Sequence, residues 1–96
     1  MTNYEIMFVI DPMLEDEKKD AAVERVKEVI TSEGGEVLDT DVWGLRDLAY
    51  PIQKRSTGYY AVLQFKAEPT LPQELDRRLK ISDDFIRHII VNKDAE

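Results

Sequence analysis

Hydrophobic and polar residues follow two different periods along this chain, and each period marks a different kind of element. The stretch 4–10, Tyr-Glu-Ile-Met-Phe-Val-Ile, is rich in β-branched and aromatic side chains and stops at Asp11-Pro12, which predicts a strand. Glu15, Asp16 and Glu17 then supply the negative charge that a helix N-terminus favours. Ala22, Val26, Val29 and Ile30 follow as an apolar stripe at helical spacing. Gly34-Gly35 is expected to close that helix, because glycine enters the left-handed conformation at little cost. Two extended stretches come next, from about 36 to 52 and from 58 to about 67. The polar segment 53–58 between them reads as a long hairpin loop. Thr70-Leu71-Pro72-Gln73 has the form of a capping box, and Leu71, Leu75 and Leu79 recur at four-residue spacing. The last strand spans 85–91, Phe-Ile-Arg-His-Ile-Ile-Val.

The order β-α-β-β-α-β predicts an α+β fold of the ferredoxin-like, split β-α-β type over residues 1–96 as a single domain. Both helices would pack on one face of a four-stranded antiparallel sheet. The other face then lacks a cover from its own chain. The first strand places Tyr4, Ile6, Phe8 and Ile10 on one side, yet Met7 and Val9 remain on the other. The last strand is also apolar on both sides, with Phe85, Ile89 and Val91 alternating with Ile86 and Ile90. A solvated sheet face normally alternates to polar residues. Surplus apolar surface of this kind predicts a cover from outside the chain, the alternative being the irregularity of a small domain.

Composition narrows the function. The chain has 96 residues, 43% hydrophobic and 34% charged, which is enough for one modest core. It has no cysteine, so no disulfide and no thiolate metal site can form. The longest apolar run, 6–10, is too short to span a bilayer, and the N-terminus lacks the basic start of a secretory signal. A cytoplasmic protein without membrane contact is expected. A net charge of −7 argues against general coating of nucleic acid. The charge is unevenly spread, however. Residues 1–34 carry nine acids against four bases, whereas 42–66 carry Arg46, Lys54, Arg55 and Lys66 against Asp47 alone. Residues 85–93 carry Arg87, His88 and Lys93 with no acid. A local basic footprint on an acidic body is compatible with this pattern.

Catalytic chemistry is poorly represented. One histidine and no cysteine exclude a Cys-His pair and a multi-histidine metal site. His88 lies in an expected strand with no serine motif nearby, and reads as a partly packed strand residue. Gly34-Gly35 leads into a strand and not a helix, so it forms no phosphate loop. Asp83-Asp84 occupies a helix-to-strand turn, where acids are ordinary. The stretch 58–65, Gly-Tyr-Tyr-Ala-Val-Leu-Gln-Phe, lacks the basic-glycine-aromatic signature of RNA-recognition domains. No catalytic residue, metal, cofactor or small-molecule substrate is expected.

One block is specific. Trp43-Gly44-Leu45-Arg46-Asp47-Leu48-Ala49-Tyr50-Pro51-Ile52-Gln53-Lys54, followed by Gly58-Tyr59-Tyr60, closely resembles the signature of the bacterial family of the sixth small-subunit ribosomal protein. Tyr4-Glu5, Asp11-Pro12, Leu79-Lys80-Ile81, Asp84, Ile86 and Arg87 match the same pattern, so the resemblance runs from residue 3 to about 93. The short end Lys93-Asp94-Ala95-Glu96 departs from it, since many members carry a longer, charged tail. The resemblance implies a ferredoxin-like, non-enzymatic domain in the platform of the small ribosomal subunit. There it would bind small-subunit ribosomal RNA as a heterodimer with the eighteenth small-subunit protein. Asn3, Tyr4, Arg46, Tyr50, Lys54, Arg87 and Lys93 are the expected RNA contacts, with the bases forming one phosphate-contacting patch. Trp43, Leu45 and Leu48, on an expected edge strand, are the expected partner contacts. The main rival is a ligand-sensing ferredoxin-like domain that assembles by side-by-side sheet pairing; it leaves the basic hairpin unexplained. An acyl-phosphate-hydrolysing enzyme of this fold needs an arginine in a glycine-rich loop after the first strand, where this chain has Asp11-Pro12-Met13-Leu14.

Overall fold

The computed structural model describes residues 1–52 and 55–94, and the side chains of 1–46 and 58–94. Its elements are β1 (Thr2–Ile10), α1 (Asp16–Ser32), β2 (Glu36–Ile52), β3 (Arg55–Ala67), α2 (Leu71–Lys80) and β4 (Phe85–Asn92). The strands form one four-stranded antiparallel sheet in the order β2-β3-β1-β4, as the ferredoxin-like reading requires. β2 and β4 are therefore the two margins.

The helices cover one face. Tyr4, Ile6, Phe8 and Ile10 of β1 and Ala61, Leu63, Phe65 and Ala67 of β3 meet the apolar stripes of both helices in one buried cluster. The expected stripe of α1 is buried, together with Val23 and the unexpected Lys19. Lys19 is tolerated because its ammonium lies 5.2 Å over the Tyr59 ring and 3.7 Å from Asp16. Leu71, Leu75 and Leu79 of α2 are also buried, as their spacing predicts.

The two helix ends differ in how well the sequence describes them. After α1, Gly34 has φ +84°, its N–H donates to Thr31 O, and the Gly35 N–H donates to Ile30 O. That pair of bonds is a Schellman cap, and it satisfies carbonyls the helix leaves open. The expected capping box of α2 does not form. Thr70 makes no side-chain cap bond, and Pro72 near the helix start removes one donor that would need satisfying.

The β2–β3 hairpin is longer than the sequence reading. The ladder runs through Arg46↔Gly58 and Asp47↔Thr57 to Ile52↔Arg55, so most of the expected loop is strand. Residues 53–54 lie outside the described residues. Phe85 is also corrected. A register shift at Val9/Ile10 pairs Phe85 with Ile10, which turns its ring onto the core and edge-on to Phe8, away from Ile89 and Val91.

Candidate nucleic-acid and protein interface

The open face is built by strand alternation. On β1 it receives Asn3, Glu5, Met7 and Val9, since Tyr4, Ile6, Phe8 and Ile10 point to the helices. Pairing extends the face across the sheet. Lys66, Gln64, Val62 and Tyr60 of β3 stand opposite those four residues, and Val91, Ile89 and Arg87 of β4 stand opposite Glu5, Met7 and Val9. Lys93 continues the β4 column, its N–H donating to Asn3 O.

β2 contributes through the first two of its three register shifts, the third falling between Asp47 and Ile52. The first register shift falls between Val37 and Asp39, the second between Val42 and Gly44. The second leaves Trp43 as an extra residue, with Gly44 at φ +80° beside it. The indole lies parallel to the Tyr60 ring, centroids 6.1 Å apart, and its Nε1–H donates to Asp41 Oδ2 at 2.8 Å. Trp43 stays 42% exposed, so it is a surface residue and not part of the core. Leu45 is 56% exposed, but it pairs with Tyr59 and thus belongs to the helix side of the strand. The two expected partner contacts therefore bracket the margin of β2, one on each side. Leu48 lies outside the residues whose side chains are described, as do Tyr50 and Lys54.

Asn3, Arg46, Arg87 and Lys93 share the open face, yet they do not form one patch. Arg46 is on β2, Arg87 is on β4 and Lys93 follows its end, so the two groups lie three strand spacings apart, or about 14 Å at ~4.8 Å per strand. The expectation of a single basic patch is thus replaced by two separate groups of cations. The β4 group also has acids beside it. Lys93 Nζ is 3.8 Å from Glu5 Oε1, and Asn3 donates twice to Asp94, from its backbone N–H at 2.9 Å and its side-chain amide at 3.2 Å. The backbone bond from Asn3, then the side-chain bond, holds the Asp94 carboxyl below the usual range. Lys66, opposite Asn3, belongs to this end of the face. Its place was hidden from the sequence because it depends on the pairing of β3 with β1.

Tyr4 is withdrawn from the set. It is 6% exposed and its ring stacks on Phe65 at 5.5 Å, so it serves the core on the opposite side from Asn3. His88 also faces the helices. It pairs with Asp76 of α2 at the edge of a shallow cleft bounded by Pro72 and Ile90. That contact, then Lys80, holds the Asp76 carboxyl low. The cleft's described lining has no serine or lysine to act as nucleophile. No group of three or more metal-ligating side chains occurs among the described residues. No described helix is long and apolar enough to cross a membrane.

Fold and face together define a ferredoxin-like domain that presents a broad apolar and charged sheet surface. A family model described as ribosomal protein S6 matches residues 3–92. The small ribosomal subunit protein bS6 of Clostridium novyi is 49% identical over 92 residues, covering 96% of this chain and 97% of that one. Its counterpart in Carboxydothermus hydrogenoformans is 48% identical over 94 residues, covering 98% of each. The crystal structure of 30S ribosomal protein S6 from Thermotoga maritima matches with a TM-score of 0.92 at 31% identity, over 96% of this chain and 87% of that chain. The chain belongs to the ribosomal protein S6 family, and is a structural, ribosome-bound protein of the small subunit.

Proposed function

We propose that this chain, acting as one folded unit, binds small-subunit ribosomal RNA in the platform as a heterodimer with the eighteenth small-subunit protein. It supports subunit assembly and translation in the cytoplasm, and catalyses no reaction. The observation that carries this reading is the uncovered sheet. One face exposes Trp43 at the β2 margin, with Leu45 exposed around the same strand, while the β4 margin carries Arg87 and Lys93 and no acid within the strand. Apolar side chains at an edge strand suit a protein partner, and cations at the other margin suit phosphate.

Two separated basic groups suit contacts to a folded RNA at two places better than a single strand lying in one groove. Recognition then rests on phosphate, sugar and shape, because side chains read the deep groove of A-form RNA poorly. Arg46, with Tyr50 and Lys54 beyond it in the hairpin, serves one end; Asn3, Arg87 and Lys93 serve the other. Binding to the assembled junction shifts the RNA toward that conformation.

The test is titration of the heterodimer onto platform RNA at several salt concentrations, with Arg46→Ala, Arg87→Ala and the double variant. Each lost phosphate contact lowers the salt slope by about 0.7 to 0.9. Unchanged affinity and slope in the double variant would exclude these residues as RNA contacts.

A further inference from the structure

The ladder between β1 and β4 ends at Tyr4↔Asn92, one residue short of Asn3. The Asn3 carbonyl still accepts the Lys93 N–H at 2.9 Å, but its own N–H donates to a side chain and not to the strand. That side chain is Asp94. Its Oδ2 takes the Asn3 backbone N–H and its Oδ1 the Asn3 side-chain amide, so one carboxylate oxygen faces each donor. Asn92 fixes the turn that delivers the acid, its Oδ1 accepting the Asp94 N–H at 2.9 Å. Lys66 of β3, exposed, stands opposite Asn3.

Two converging N–H donors beside a lysine make a cradle for an anion with two oxygens side by side. A carboxylate and a phosphodiester both present that pair of charged acceptors. The other acids nearby hold no such place. Glu5 accepts from Gln64 at 2.7 Å and lies 3.8 Å from Lys93 Nζ, and Glu36 stands across Lys66 on the β2 side. The bonds from Asn3 to Asp94 are exposed, and exposed bonds of this kind contribute little net stability, so exchanging one anion for another costs little. A tethered carboxylate nevertheless competes at a high effective concentration. A free anion therefore displaces it poorly, whereas an RNA already held elsewhere on the protein presents its phosphate at a comparable local concentration.

We propose that Asn3 and Lys66 form a site for one phosphate of the RNA backbone, and that Asp94 fills this site in the free protein as an internal substitute. RNA engages this end of the sheet by displacing the Asp94 carboxylate, while the β1–β4 ladder up to Asn92 stays intact. This rests on the RNA-binding reading above, and adds to it Lys66 as a contact and Asp94 as a competitor. Binding at this end then follows contacts made elsewhere, which favours a folded RNA that reaches both margins over any single anion.

The experiment titrates the heterodimer onto platform RNA with wild type, Asp94→Ala, Asp94→Asn and a control, Glu17→Gln, which makes an equal charge change on α1. Circular dichroism checks that each variant is folded. Asp94→Ala should bind about fivefold more tightly than wild type, with Asp94→Asn, which keeps one acceptor for Asn3, between them and the control near wild type. The gain should largely vanish when Asp94→Ala is made in an Asn3→Ala or a Lys66→Ala background, each compared with that single variant, because these donors are what the phosphate takes up. Unchanged or weaker binding by Asp94→Ala would overturn the proposal while sparing the RNA-binding reading. An equal gain in Glu17→Gln would reduce the effect to net charge and overturn it. A gain that survives in both backgrounds would leave Asp94 as a repelling charge with no site beneath it, and would overturn it too. No binding by the wild type would remove the RNA-binding reading and this inference together.

Discussion

Gly34 and Gly35 are adjacent but are required for different reasons. At Gly34 the backbone is left-handed with open space around it, so a side chain would meet no atom and only conformational cost. At Gly35 an added Cβ would stand 2.9 Å from Ile30 Cγ2 and 3.0 Å from Leu71 Cδ1. Gly34→Ala should therefore cost about 1 kcal/mol, and Gly35→Ala about 1–3 kcal/mol. Denaturant unfolding of the two variants checks the order. Glu74 gives a pH-dependent case. The side-chain bonds from Arg77, then Arg78, lower its carboxyl from 4.5 to about 2. A carboxylate depressed in the folded state stabilises above its unfolded value and stops doing so as pH falls through the folded one. The gap in stability between wild type and Glu74→Gln should thus be constant above about pH 5 and close towards pH 2, with solvent keeping it small. Unfolding curves across that range read it directly.

Elements respond according to the side they present. Leu75 of α2 is fully buried between helix and sheet, so Leu75→Ala should cost about 2–5 kcal/mol in unfolding experiments. Leu45, exposed on the edge strand β2, carries no such burden. Leu45→Asp should leave the circular dichroism unchanged while weakening binding of the partner protein. A loss of fold instead would assign Leu45 to a structural role.

For the whole molecule, net charge and local charge act in opposite directions. At −7, the isolated chain repels phosphate at long range, and the described arginines and lysine expected to meet RNA are split between two margins of the sheet. RNA binding by this protein alone should therefore be weak, and should strengthen markedly once the partner is bound. Filter binding or fluorescence anisotropy with each protein alone and with the pair measures the difference. Equal affinity of the single protein and the pair would exclude cooperation.

Periodicity alone was enough to order the elements, place Leu71, Leu75 and Leu79 in the core and end α1 at its glycines, because each depends on residues within a turn or two of one another. The ferredoxin-like arrangement followed, since few topologies join such an order of elements without crossing connections. The two-sided apolarity of β1 was legible for the same reason, as Met7 and Val9 cannot share a side with Ile6 and Phe8. What the chain did not disclose lies in pairing and register. The bulge beside Trp43 sets its indole on Tyr60, the shift before Phe85 turns that ring inward, and the strand order separates Arg46 from Arg87. Tyr4, placed among the RNA contacts by its neighbourhood, is buried because its parity on β1 puts it against Phe65. Register is a relation between distant segments, and a single unpaired residue alters every assignment beyond it. The local sequence could therefore specify which faces exist, while only the assembled sheet decided which side chains meet on them.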